Sequence, residues 1–272
     1  MPEHISPSKR KNIILDLLKN DDEVRVSELA GILGISGVTI RSDLAEMEKE
    51  GLLRRTHGGA VNTKKSYYSM SNNDRMNTNR KEKTAIAKSC ASLINDGDTL
   101  MIVSGTTTRY LARELAERSN LTIVTNSVLV AEEFLFNSSI NVILLGGSLD
   151  LQYQFTFGDD TVTQLQKYRA DKMILAIDGI SADHGLSTFH HRETDVSRQM
   201  MERSNAVVAV ADHSKIGREG FSYIAPLTSI DILVTDLYDE KQAELNEFRH
   251  AGIIVEIATY SGYLPPSSAT HR

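Results

Sequence analysis

Cysteine is almost absent from this 272-residue chain. Cys90 stands alone, so no intrachain disulfide can form, and nothing points to an oxidising compartment. Long apolar runs are missing as well. Stretches such as Leu100 to Val103 and Ala206 to Ala211 are far too short to span a bilayer, so no membrane partner is expected. Pro2, Glu3 and Pro7 occupy the N-terminus where a signal peptide would carry an apolar stretch, and the cytoplasm is the expected location. Excess positive charge is also lacking. The formal net charge is −6, and the basic residues of the first sixty positions (Lys9, Arg10, Lys11, Lys19, Arg25, Arg41, Lys49, Arg54 and Arg55) meet a similar number of acids. A nucleic-acid role therefore has to rest on geometry and motif rather than on a basic field. There is no internal repeat, no Walker loop and no dinucleotide fingerprint. His184, His190, His191 and His213 have no Cys or ordered carboxylate spacing beside them, so neither a metal nor a cofactor is expected.

What is present begins with length enough for two domains and a sizeable core. In the first sixty residues, Ser8 to Lys19 carries an apolar stripe of Ile13, Ile14, Leu17 and Leu18. Asn20-Asp21-Asp22 reads as a turn, and Val24 and Val26 alternate as a minimal strand. A short helix from Glu28 follows, with Ser27 as its expected cap and Gly34 as its stop. Ser36 is placed to cap a second helix in which Ile40, Leu44 and Met47 recur at helical spacing and face inward. Gly37, Val38, Thr39, Arg41 and Ser42 fall on its other face. Gly51 ends it. Leu52 and Leu53 start a strand, and Arg54, Arg55 and His57 lead into the His57-Gly58-Gly59 turn. This is the layout of a winged helix-turn-helix, which sets one helix in a DNA major groove. Periodicity alone equally allows a plain helical hairpin with a solvated polar face.

The residues add more than the periodicity. Ser36-Gly37-Val38-Thr39-Ile40-Arg41-Ser42-Asp43-Leu44, then Gly51-Leu52, then Arg55-Thr56-His57-Gly58-Gly59-Ala60, closely resembles the signature of the DeoR family of bacterial sugar-catabolism repressors. The match covers about fifty residues. Ser42 departs from it, since the family more often has Arg there, and this removes one charge from the reading helix. The expected DNA-binding residues are Ser36, Val38, Thr39, Arg41, Ser42, Arg54, Arg55 and His57, with Thr39, Arg41 and Ser42 at base edges of double-stranded operator DNA and Arg54, Arg55 and His57 at phosphates.

Residues 62–81 are rich in Asn, Ser, Lys and Arg without a sustained period and read as a linker, spanning roughly 25 Å on average as a flexible coil. From Glu82 onward, helical patterns alternate with short apolar runs: Thr99 to Val103, Leu121 to Val124, Asn141 to Leu145, Lys172 to Ile177, Ala206 to Ala211, Ile230 to Val234 and Ile253 to Ile257. Such runs are strands buried on both faces. The fold class is thus α/β: a winged helix-turn-helix over residues 1–61, the linker, and a mainly parallel-sheet effector domain over 82–260. Residues 261–272 form a tail.

Ligands of open parallel sheets sit beyond the C-terminal strand ends. Ser104-Gly105-Thr106-Thr107-Thr108 follows the first strand. A glycine that admits close backbone approach, three hydroxyls and a helix start suit an anion, with phosphate the natural guest. A plain capped helix remains the alternative. Thr125-Asn126-Ser127, Gly146-Gly147 and Asp178-Gly179 follow the next strands, and Glu193 and Asp212 to Gly217, with Lys215, come later. Arg109 and Arg192 are either phosphate contacts or surface charges. These pieces, with Gly158 and Gly185, again resemble the DeoR family, whose effector domain is similar to ribose-5-phosphate isomerase and glucosamine-6-phosphate deaminase. The resemblance implies that the Ser104 to Thr108 loop holds the phosphate of a phosphorylated sugar, and that Asp178, Glu193 and Lys215 contact the sugar. Val103 replaces an Asp frequent in the family, and Asp178-Gly179-Ile180-Ser181 lacks the second carboxylate of the isomerases. Isomerisation needs a base beside a carbonyl, so a sensor is expected rather than an enzyme. The expectation is a homodimeric or homotetrameric repressor of a sugar-catabolism operon, relieved by a phosphorylated sugar. The alternatives are a sugar-phosphate isomerase or deaminase with an appended DNA module, and an activator or architectural factor.

Overall fold

The computed structural model describes residues 6–21, 23–49, 52–62 and 72–259. Asp22, Gly51, the linker from 63 to 71 with Tyr67 and Tyr68, and the 261–272 tail lie outside the described residues. The chain divides into two compact units, residues 1–70 and 71–272.

In the first unit, helix α1 (Pro7–Asp21) starts on a proline, whose fixed φ suits the first helical turn. Strand β1 (Glu23–Arg25), helices α2 (Val26–Leu33) and α3 (Gly37–Lys49), and strands β2 (Leu53–Arg55) and β3 (Gly59–Asn62) follow. The strands form an antiparallel sheet in the order β1-β3-β2. Ile14, Leu18, Leu29, Leu33, Ile40, Leu44, Met47 and Leu53 are buried together. Gly34 takes φ 65° and ends α2. Gly59 is fixed by space, since a Cβ there would stand 1.9 Å from the Val24 carbonyl oxygen. Ser27 does not cap α2. The helix begins two residues earlier than expected, at Val26, so that Val26 belongs to the helix rather than to the strand before it, and the Glu28 carboxylate accepts from the Arg25 N–H at 3.3 Å. Ser36 does cap α3, accepting from the Thr39 N–H at 3.2 Å. Arg10 of α1 grips Asp43 of α3 with two hydrogen bonds of 2.7 and 2.9 Å, both side chains buried.

The second unit carries a seven-stranded parallel sheet. Its strands are β4 (Thr99–Ile102), β5 (Thr122–Thr125), β6 (Asn141–Leu144), β9 (Ala170–Ala176), β12 (Ser204–Val210), β14 (Ile232–Asp236) and β15 (Ile254–Ala258), in the order β15-β14-β12-β9-β4-β5-β6. Helices α5 (Arg80–Ser92), α6 (Thr106–Leu115) and α7 (Val128–Glu132) bury one face of it, with Ile86, Leu111 and Val130 against Ile102, Ile123 and Ile174. Helices α8 (Asp159–Leu165), α9 (Thr194–Glu202) and α10 (Gln242–His250) bury the other, with Leu165, Met200 and Phe248 against Met101, Leu175 and Leu233. Each run expected as a strand is one.

Alternation of helix and strand did not anticipate two additions. One is the hairpin β7 (Ser148–Asp150) with β8 (Phe155–Phe157). The other is an antiparallel sheet of β10 (Gly179–Ser181), β11 (Gly185–Thr188) and β13 (Ser222–Ala225). The second unit also reaches further toward the N-terminus than composition suggests. Residues 72–77 form helix α4 (Asn72–Asn77), and Arg75 and Met76 are buried in it. Six residues are too few to show a helical period, which is why this stretch reads as linker. Among the described residues, no helix is long and apolar enough to cross a membrane.

Asp43→Ala would remove the carboxylate that α3 offers the Arg10 guanidinium, and should lower the stability of the first unit by about 1–3 kcal/mol, the worth of hydrogen bonds to a charged group. Hydrogen exchange on the full chain should register lost protection in α1 and α3 with α6 and α9 unchanged. Intact protection in α1 would refute the bridge's role.

Candidate functional site

The sheet order places a crevice in the second unit. From β4 the chain winds outward through β5 to β6, then returns to β9 on the other side of β4 and winds outward again. The reversal between β4 and β9 is where open α/β sheets bind ligands. A cleft lies beside it, over the C-terminal ends of β4 and β5, lined by Asn72, Arg75 and Met76 of α4, Ser104, Gly105, Thr106 and Arg109 at the start of α6, Ser127, Leu129 and Tyr153. Gly105 takes φ 154°, and a Cβ on it would stand 2.6 Å from the Ala176 Cβ at the end of β9. The glycine thus lets the β4 loop press against the neighbouring strand.

The three threonine hydroxyls do not converge. Thr106 lines the cleft, Thr107 is buried, and Thr108 is fully buried with its Oγ1 donating to the Gly105 carbonyl at 2.9 Å. Successive side chains of a helix point about 100° apart, which rules out a common target. Ser104 turns to Glu193: its N–H and Oγ donate to the two carboxylate oxygens at 3.0 and 2.8 Å. Asn126 Nδ2 donates to the same carboxylate at 2.8 Å and to the Thr156 carbonyl at 3.1 Å. Burial pushes the Glu193 carboxyl up to about 7 against the pull of those donors. Thr125 is structural, its Oγ1 donating to the Ile102 carbonyl at 2.6 Å. Ser127 caps α7 through the Val130 N–H.

Gly146 and Gly147 do not line the cleft. They close against α8, where the Gly146 carbonyl accepts from Thr161 Oγ1 at 2.7 Å and its N–H donates to Gln164.

Charge is concentrated beneath the cleft. Arg75 lies 3.6 Å from Asp178 through Nη2, donates from Nη1 to His190 Nε2 at 2.8 Å, and sits over the Tyr153 ring. Burial would raise the Asp178 carboxyl. Arg75, Lys215 and the Phe189 N–H outweigh it and hold the carboxylate far below the usual range. Burial depresses His190 to about 4, so its ring is neutral and Nε2 accepts from Arg75. Lys215 is brought down to about 8 by burial. Asp212, facing Lys215 and Lys83, is held at about 2 despite its burial, and accepts from Asn79 and Ser214. Lys83 donates to the Arg75 and Thr78 carbonyls at 2.6 and 2.7 Å, tying α5 to α4. Asp178, Glu193 and Lys215 are therefore brought together at the strand ends as buried groups. Asn72, Arg75, Met76, Leu129 and Tyr153 line the cleft without having been singled out in the sequence. Arg109 lines the cleft but pairs with Glu133 at 2.6 Å, and Arg192 lies 3.6 Å from Asp150. Among the described residues, no three of His, Cys, Asp or Glu come together to hold a metal.

In the first unit, α3 divides as its spacing predicts. Ile40, Leu44 and Met47 face the core, while Val38, Arg41 and Ser42 are exposed and Ser36 Oγ meets Thr39 Oγ1 at 2.9 Å. In the wing, Arg54 is half-buried and His57 exposed. Arg55 is held by Glu48, which takes its backbone N–H at 2.8 Å and its Nε at 3.0 Å.

A winged helix-turn-helix carried on one chain with an α/β unit whose cleft lies beside its switch point defines a DNA-binding regulator with a sensor. The model of the DeoR-like helix-turn-helix domain matches residues 10–66, and that of the DeoR C terminal sensor domain matches residues 78–237. The HTH-type transcriptional regulator GolR of Listeria innocua is 35% identical, over 93% of this chain and 99% of its own length. The glycerol-3-phosphate regulon repressor of Escherichia coli K12 is 35% identical, over 84% of this chain and 90% of its own. Among solved structures, the ribose 5-phosphate isomerase A of Methanocaldococcus jannaschii aligns with 51% of this chain and 55% of that one, at 18% identity and a TM-score of 0.38. So slight a likeness carries no argument. The chain belongs to the DeoR family, and it is a transcriptional regulator rather than an enzyme.

Glu193 supplies a pH test. Its folded pKa of about 7 exceeds the ordinary 4.5, so the folded state holds the proton more tightly. Its contribution to stability is full below about pH 4.5 and is lost as pH rises toward and through 7. Gln can keep all three hydrogen bonds, with its carbonyl in place of Oε1 and its amide donating to Ser104 Oγ. Thermal unfolding of Glu193→Gln should therefore show a Tm advantage over the parent that grows between pH 5 and pH 8. A constant difference would refute the assignment.

Proposed function

We propose that the protein is a cytoplasmic repressor of a sugar-catabolism operon, a homodimer or homotetramer released from its operator by a phosphorylated sugar. The observation that carries this reading is the cleft itself. It opens at the first turn of α6, where backbone N–H groups have no intrahelical acceptor, and it has Thr106 and Arg75 on its walls. A phosphate is the guest that a helix N-terminus with a hydroxyl and a guanidinium favours. The carboxylates and lysine at the strand ends (Asp178, Glu193 and Lys215) suit a polyhydroxylated body. A relative named for a glycerol-3-phosphate regulon supports a phosphorylated polyol as the class. Ser104, Gly105, Thr107, Thr108, Thr125, Asn126, Gly146 and Gly147 act in this reading through the backbone and the hydrogen bonds that shape the cleft.

In the first unit, Ser36, Val38, Thr39, Arg41 and Ser42 enter the major groove, and Arg54, Arg55 and His57 meet phosphates. A coupling of about 1–3 kcal/mol between the two sites would relieve repression roughly 5–150-fold.

Genomic fragments selected on the purified chain, then challenged with a panel of sugar phosphates, test the reading. One upstream fragment should be retained and one sugar phosphate should free it. Retention of nothing at low salt would sink the repressor assignment, and a fragment that no sugar phosphate releases would sink the effector assignment. Thr106→Ala should keep retention while raising the sugar phosphate needed for release by about tenfold or more, the worth of a hydrogen bond to a charged group. An unchanged release curve would remove Thr106 from the phosphate site.

A further inference from the structure

The exposed face of α3 is unusual in what it lacks. Asp43 is turned inward to Arg10, Glu46 pairs with Lys11 at 3.2 Å, and Glu48 holds Arg55. Each of these carboxylates faces a cation from α1 or from the wing. Positions 38, 41, 42 and 45 share one side of the helix at the i, i+3, i+4 and i+7 spacing. They supply a valine, an arginine, a serine and a half-buried alanine. Val38 is 74% exposed, in the first turn. A β-branched apolar side chain left in water beside Arg41 and Ser42 contributes nothing to the core of its own unit.

Base edges in the major groove offer one apolar feature, the 5-methyl group of thymine. We infer that Val38 reads a thymine methyl in each operator half-site, resting on the reading of α3 as the groove-facing helix. Arg41, one turn after Val38, is the nearest long donor to it on this face and fits the O6 and N7 acceptors of guanine. Three helical residues advance about 4.5 Å, little more than one base step of about 3.4 Å. The thymine therefore lies next to that guanine or one pair beyond it. Ser42 bonds to any base and discriminates little. The half-site is thus defined by one apolar and one bidentate contact rather than by two arginines.

The test uses the full-length chain and the fragment it retains in the genomic selection. Each thymine is replaced in turn by deoxyuridine, which removes the methyl and keeps every hydrogen-bonding group. One replacement per half-site should weaken binding about fourfold, the worth of about 0.8 kcal/mol for one buried carbon. The replaced base should lie within two pairs of a guanine whose replacement by adenine also weakens binding. Val38→Ser, which leaves no cavity because the side chain is exposed, should weaken binding to the parent fragment by about fourfold per module, about sixteenfold for two half-sites, and be indifferent to that deoxyuridine. A flat deoxyuridine scan, or a Val38→Ser variant that still loses fourfold on the same replacement, would overturn the assignment. Arg41→Ala, measured alongside, separates the two levels of the argument. It should cost about 1–3 kcal/mol per module, roughly 5–150-fold. If it binds as the parent does, α3 is not the reading helix and both readings fall. If it loses binding while the scan is flat, only the role of Val38 falls.

Discussion

The handedness of strand crossovers governs the second unit. Parallel neighbours joined through a helix connect right-handedly, so a chain winding one way from β4 covers one face of the sheet and a chain winding the other way covers the opposite face. The two buried layers, with Leu111 on one side and Met200 on the other, are the outcome. The place where the direction reverses has no crossover above it. Gly105 pressed against Ala176 shows how close the two loops come at that point. The cleft is thus a by-product of topology before any side chain is considered, and the side chains decide what it holds.

Those side chains are charged and buried, an arrangement that is costly unless each group is answered. Asp178 faces Arg75, Asp212 faces Lys215 and Lys83, and the Glu193 carboxyl is ringed by three donors. Arg75 comes from α4 and Lys83 from α5, while their partners sit at the ends of β9 and β12. The network therefore fastens the start of the second unit to the middle of its sheet. A six-residue helix is too short to hold itself in water, so the order of α4 depends on the groups that Arg75 and Met76 meet.

Much of this was legible in the residues. Ile40, Leu44 and Met47 announce the buried side of α3 by their spacing, and the seven parallel strands announce themselves as short apolar runs between helical patterns. The site was legible at the level of loops, because Ser104 and Asp178 follow strands in the sequence. It was less legible at the level of atoms. Nothing in a list of residues says that Ser104 turns to Glu193 or that Thr108 bonds its own loop. The small sheet of β10, β11 and β13 was missed because its segments are short, mixed in polarity and separated by up to thirty-odd residues. Arg75 was missed for a different reason: its neighbours are polar and its role is set by Asp178, a hundred positions away.

The division of labour on α3 has an evolutionary consequence. Positions 40, 44 and 47 serve the core and position 43 serves the bridge to α1, so substitution there is opposed by stability. Positions 38, 41 and 42 carry no such duty, and exchanges at exposed sites of this kind usually move stability by no more than about 0.5 kcal/mol. On the proposed reading of α3, a duplicated copy of this chain has room to drift to a new operator at those three positions without passing through an unfolded intermediate. Paralogues that share the scaffold and answer different promoters are the natural product of such a helix.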